Sequence, residues 1–95
     1  MMNQNENPLT IIPAKAELAI IFSLLTALAE MPDDYIGREG LLYAPFMGYG
    51  LDSFQRALAN LEARGFLLRL PNFGVRITST GRAMAAKFEA VGNRS

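Results

Sequence analysis

Residues 54–81 read FQRALANLEARGFLLRLPNFGVRITSTG, and the punctuation of this stretch decides the fold. Phe54, Leu58 and Leu61, joined by Ala57, recur at helical spacing and predict a helix from about residue 51 or 52 to residue 64. Gly65 ends it, because glycine accepts the left-handed backbone that commonly follows a helix. Two short apolar runs, 66–70 and 75–78, flank Pro71-Asn72-Phe73-Gly74 and predict a β-hairpin. Thr78, Ser79 and Thr80 then offer hydroxyls that cap the first N–H groups of a last helix reaching about residue 91.

Upstream, residues 14–31 contain no Gly or Pro and are rich in Ala and Leu, which predicts a long helix. Pro13 suits its first turn, and Pro32 stops it. Its apolar positions run almost all round, as expected of a helix that is either central or shared with a partner. A short chain has few layers, so a homodimer is expected. Leu18, Ile21, Phe22 and Leu25 of this helix would form its interface with Met84 and Phe88 of the last helix. Residues 35–43 are a short helix candidate weakened by Gly37 and Gly40, and residues 44–50 read as a turn-rich loop. The chain thus divides into a polar tail and entry segment (1–12), one domain (13–92) and a short C-terminal tail (93–95).

Ninety-five residues suit a single domain, since domains commonly run to about 100–200 residues. Hydrophobic residues make up 51% and charged residues 19%, a globular composition. Cysteine and histidine are both absent, which excludes disulfides, zinc fingers, thiol nucleophiles and imidazole metal sites. No apolar run reaches the ~20 residues of a membrane helix, and no basic region precedes an apolar stretch near the N-terminus. A cytoplasmic protein without membrane contact, cofactor or metal is expected. Gly48-Tyr49-Gly50 lacks the third glycine and the βαβ setting of a dinucleotide fingerprint. Asp33-Asp34 reads as a turn or a helix cap, and no hydrolase elbow or phosphate loop occurs, so no enzyme is expected.

The ordered set Phe54-x-Arg56-x-Leu58-x-x-Leu61-Glu62-x-x-Gly65-x-Leu67-x-Arg69, followed by Ile77-Thr78-x-x-Gly81, resembles the winged helix-turn-helix of bacterial regulators of the MarR and PadR types. About 28 residues match closely, and residues 14–91 match by element order. The resemblance implies a mainly α fold with a small β-hairpin: a three-helix core, a two-stranded wing and a C-terminal helix. It also implies sequence-specific binding of duplex DNA in transcription regulation. Helix 52–64 would enter the major groove and wing 66–78 would lie on the backbone.

The charge distribution agrees with that implication. Residues 1–50 carry Lys15 and Arg38 against six carboxylates. Residues 51–95 carry Arg56, Arg64, Arg69, Arg76, Arg82, Lys87 and Arg94 against Asp52, Glu62 and Glu89. On the recognition helix, Ser53, Gln55, Arg56 and Asn60 lie off the apolar stripe and have the chemistries that read base edges or phosphates. Arg69 and Arg76, on opposite wing strands, would straddle a phosphate backbone. Arg64 would complement the helix C-terminus, and Glu62 is a candidate partner of Arg69.

A second reading is a protein-interaction module of a phage, plasmid or secretion-linked assembly that does not bind DNA. Net neutrality, Asp52 at the front of the recognition helix, and an apolar wing tip of Pro71 and Phe73 speak for it. Phe73 and the loop aromatics would then meet a protein partner. A third reading is an effector-binding domain, with Tyr35, Tyr43, Phe46, Met47 and Tyr49 around a small-molecule pocket, although these residues more simply fill the core.

Overall fold

The fold was obtained as a computed structural model, which describes residues 14–92. The tails at 1–12 and 93–95, and Pro13 with its expected place in the first turn of the helix, lie outside the described residues. Helix α1 (Lys15–Ala29) is followed by a two-residue strand β1 (Gly37–Arg38), a single helical turn α2 (Glu39–Tyr43) and a 3-10 segment, Ala44–Tyr49. Helix α3 (Leu51–Ala63), strands β2 (Leu67–Leu70) and β3 (Gly74–Ile77) and helix α4 (Ser79–Gly92) complete a mainly helical fold with one small antiparallel sheet.

The hairpin agrees with the sequence pattern. Leu67 stands opposite Ile77, Leu68 opposite Arg76, Arg69 opposite Val75 and Leu70 opposite Gly74. The third strand is a correction. Residues 35–43 do not form one helix, because Gly37 and Arg38 pair with Val75 and Gly74 and the helix begins only at Glu39. The sheet order is β1-β3-β2, so β3 is central. Segment 44–49 winds as a 3-10 helix where a loop is expected.

α1 lies against α3, α4 and β3 of its own chain. Ile20, Leu24 and Leu25 of α1 meet Phe54, Leu58 and Leu61 of α3 in the core, and Leu67, Val75 and Ile77 close it from the sheet. This corrects part of the expected dimer interface. Ile21 and Leu25 are buried in the chain's own core and cannot face a partner. Leu18, Met84 and Phe88 are half-buried, and Phe22 is the exposed member of the set, its ring meeting Phe88 edge-on at 4.4 Å. The broad apolar surface of α1 is consumed because three elements, not one, pack around it.

The chain is locked where α3, the hairpin and α4 converge. Gly65 takes φ 77, a left-handed conformation open to glycine, and turns the chain out of α3. Thr78 N–H donates to the Phe66 carbonyl at 3.0 Å. Thr78 Oγ1 donates to the Gly65 carbonyl at 2.6 Å and accepts from Gly81 N–H at 2.9 Å, capping α4. Gly81 itself lies against the Phe66 carbonyl, and a Cβ there would overlap that oxygen and press on Ile77. The next residue, Arg82, spans to the end of α1. Its Nη1 donates to Ala29 O at 2.8 Å, and its Nη2 donates to Met31 O and Pro32 O at 2.9 and 3.0 Å. Ala29 O is one of the carbonyls that a helix C-terminus leaves without an intrahelical partner, whereas Met31 O and Pro32 O lie just beyond α1, the latter also accepting from Tyr35 N–H at 3.0 Å.

Gly81→Ala is expected to lower stability by about 3 kcal/mol, the upper end of overpacking costs, because the obstructing atom is backbone. Urea unfolding checks it; an unchanged midpoint would mean that the α4 start does not need this close approach.

Candidate recognition surface

The surface built around α3 follows from which of its faces the core takes. Phe54, Ala57, Leu58 and Leu61 are buried, so Asp52, Arg56, Ala59, Glu62 and Ala63 face outward, with Ser53 and Gln55 half-buried beside them. Asn60 does not join them. It is only 9% exposed, turns toward the α1–α4 side of the helix, and its Oδ1 accepts from Arg64 Nε at 2.8 Å. Arg64 therefore meets a side chain one turn back in α3.

Two nearly buried carboxylates take up two of the expected DNA contacts. Glu17, in the first turn of α1, accepts from Arg56 Nε at 2.6 Å, while the Arg56 side chain keeps 59% of its exposure. Glu39, at the start of α2, accepts from Arg69 through Nη2 at 2.9 Å and Nε at 3.2 Å. Gln55 completes this cluster: its Nε2 donates to Glu39 at 3.4 Å and its Oε1 accepts from Arg69 Nη2 at 3.3 Å. Glu62 stands 4.0 Å from the same guanidinium. The network binds β2 to α2 and α3, and no buried side-chain polar atom among the described residues is left without a partner.

Arg69 and Arg76 do not straddle a common backbone. Side chains alternate along a strand. Arg69 is paired with Val75 and points inward to Glu39, whereas Arg76 is paired with Leu68 and points out, on the side of Asp33, Ser79 and Arg82. Arg82 Nε lies 3.3 Å from Asp33 Oδ1 in addition to its carbonyl contacts. Among the described residues, Arg38, Arg76 and Lys87 form no ion pair.

The loop aromatics mostly serve the core. Tyr35, Tyr43 and Phe46 pack against it, with Tyr43 and Phe46 rings 5.1 and 6.1 Å from Phe54. Met47 and Tyr49 remain exposed. Residues of α2, the start of α3 and the hairpin turn line an open groove of about 520 Å³. Its apolar walls are Leu41, Tyr43, Leu51, Phe54 and Phe73, and its polar ones include Arg38, Glu39 and Gln55. Leu41 is 76% exposed and Phe73 74%. Asn72 and Phe73 both hold positive φ, 62° and 61°, and the Phe73 side chain stands exposed. Sequence reasoning singled out Phe73 but missed Leu41 and Leu51, which read as ordinary members of helical segments. It also missed Glu17 and Glu39, whose partners lie 39 and 30 residues away.

Among the described residues no helix is long and apolar enough to cross a membrane, and no group of three or more acidic side chains is arranged to hold a metal. Comparisons with protein families, with curated proteins and with solved structures find no match to this chain.

Arg69→Ala leaves the Glu39 carboxylate without its counter-ion. The expected loss is about 2 kcal/mol, below the roughly 3–5 kcal/mol of a fully buried pair because Arg69 keeps some solvent contact. Arg76→Ala is expected to change stability by no more than about 0.5 kcal/mol. Thermal unfolding of both variants checks the contrast, and equal effects would remove the structural role given to Arg69.

Proposed function

We propose that the chain is a winged helix-turn-helix domain, with α2 and α3 as the helix pair and β2–β3 as the wing, and that its α2–α3–wing face recognises a protein. The observation that carries this reading is the pairing of charge and apolar exposure on one face. Arg56 and Arg69 are held by Glu17 and Glu39, Asp52 and Glu62 stand exposed, and Leu41, Leu51 and Phe73 face solvent around the groove. A phosphate backbone rewards uncommitted cations and repels carboxylates. A protein partner instead rewards burial of exposed apolar side chains inside a polar rim.

A second reading, duplex-DNA binding in transcription regulation with α3 in the major groove, is favoured by one feature. Ser53, Gln55 and Arg56 stand together in the first turns of α3, and Arg56 is more than half exposed. Capturing a phosphate there means drawing the half-exposed Arg56 away from Glu17 and leaving that nearly buried carboxylate without its partner.

Fluorescence anisotropy of a labelled mixed-sequence duplex, titrated at low and near-physiological salt, separates the two. No binding at micromolar protein is expected. Binding that weakens steeply with salt would overturn the protein reading and establish phosphate contact.

A further inference from the structure

Resting on the protein-recognition reading, we infer that the groove between α2, the start of α3 and the hairpin turn takes a short peptide segment of a partner protein, carrying large apolar side chains and one carboxylate that meets Arg38. Several of the groove's polar groups are already engaged within the chain. Glu39 and Gln55 are bonded to each other and to Arg69, so the groove floor asks for no further hydrogen bonds there. What remains on the walls is apolar surface, from Leu41, Tyr43, Leu51 and Phe73, the exposed Asn72 side chain, and one exposed cation, Arg38, that forms no ion pair among the described residues. A volume of about 520 Å³ falls within the ~300–1,000 Å³ of pockets that enclose a compact apolar ligand.

Charge sets the occupant's chemistry. Arg38 is the one lining charge not already neutralised, and a single guanidinium matches a single carboxylate in a bidentate pair. A phosphate, with nearly two negative charges, exceeds what the groove can neutralise. Phe73 adds an independent argument. A bulky aromatic at φ 61° is strained, and at 74% exposure its ring is largely unburied within the chain. Both costs fall on the residue that forms the groove's outer lip, where a docked peptide would cover it.

Display of random twelve-residue peptides against the immobilised full chain, followed by anisotropy titration of the labelled winners, tests the assignment. Enriched peptides are expected to pair Leu, Phe or Trp with Asp or Glu. Leu41→Ser and Phe73→Asn are each expected to weaken their binding at least tenfold. Both positions are exposed, so the fold survives, and Phe73→Asn is expected to raise the melting midpoint because asparagine tolerates positive φ. Arg38→Glu is expected to abolish binding of the acidic peptides and to restore it for the same peptides with Lys in place of the acid. Peptides that bind at the groove with no acidic preference and ignore Arg38→Glu would overturn the carboxylate partner while leaving protein recognition standing. No enrichment, or binding indifferent to Leu41→Ser and Phe73→Asn, would overturn the groove as a site. Sedimentation showing a dimer that Leu41→Ser dissociates would make a second copy the occupant and overturn the peptide. Displacement of the peptide by duplex DNA would overturn the protein-recognition reading itself.

Discussion

The close approach of Gly81 to the Phe66 carbonyl is the constraint from which the arrangement of the elements follows. At that point the end of α3, both strands of the hairpin and the first turn of α4 meet within a few ångströms, joined by the two bonds of the Thr78 hydroxyl. With α4 leaving from there, Arg82 reaches the end of α1 and donates to the Ala29, Met31 and Pro32 carbonyls. The direction of α4 then brings it along α1, and the two helices with α3 enclose the apolar core. A larger side chain at Gly81 would not merely crowd one pocket; it would tilt α4 away from the helix it covers.

The second organising element is the pair of carboxylates at helix starts, Glu17 on α1 and Glu39 on α2. Each is nearly buried, and a buried carboxylate without a partner is costly, so each claims an arginine from elsewhere in the chain. The claim has a consequence at the surface. Arginines that sequence position alone assigns to an outer face are turned inward or sideways, and the face they leave is balanced in charge and rich in exposed Leu and Phe. Structure and proposed recognition chemistry are linked here by electrostatics: tying these cations to the chain's own carboxylates makes the same surface better suited to apolar contact than to a polyanion.

The hairpin turn carries the opposite economy. Most of the fold is built from relaxed helices and a register that keeps Leu67, Val75 and Ile77 inward. Only at Asn72 and Phe73 does a non-glycine backbone adopt positive φ, among the described residues. Strain of order 1–3 kcal/mol is tolerated in a structure where the surrounding sheet holds the turn in place, and it falls beside an exposed aromatic ring.

Much of the architecture was legible in the sequence because it is local. The spacing of Phe54, Ala57, Leu58 and Leu61 defined α3, Gly65 its end, the Pro-Asn-Phe-Gly turn the hairpin, and Thr78 the cap of α4. Strand β1 was not legible, since two residues hold no periodicity and their only signal is a partner 36 or more residues onward. The surface was least legible of all. Whether Arg56 or Arg69 faces solvent depends on Glu17 and Glu39, whether Asn60 is outside depends on where α4 lies, and whether Leu25 is free depends on how many elements surround α1. The sequence by itself determined α1, α3, the β2–β3 hairpin and α4, because those choices rest on spacing and backbone chemistry within a few residues. Only the tertiary structure decided which side chains remain uncommitted, because ion pairs and burial join residues 30 and 39 positions apart, and no local pattern records that distance.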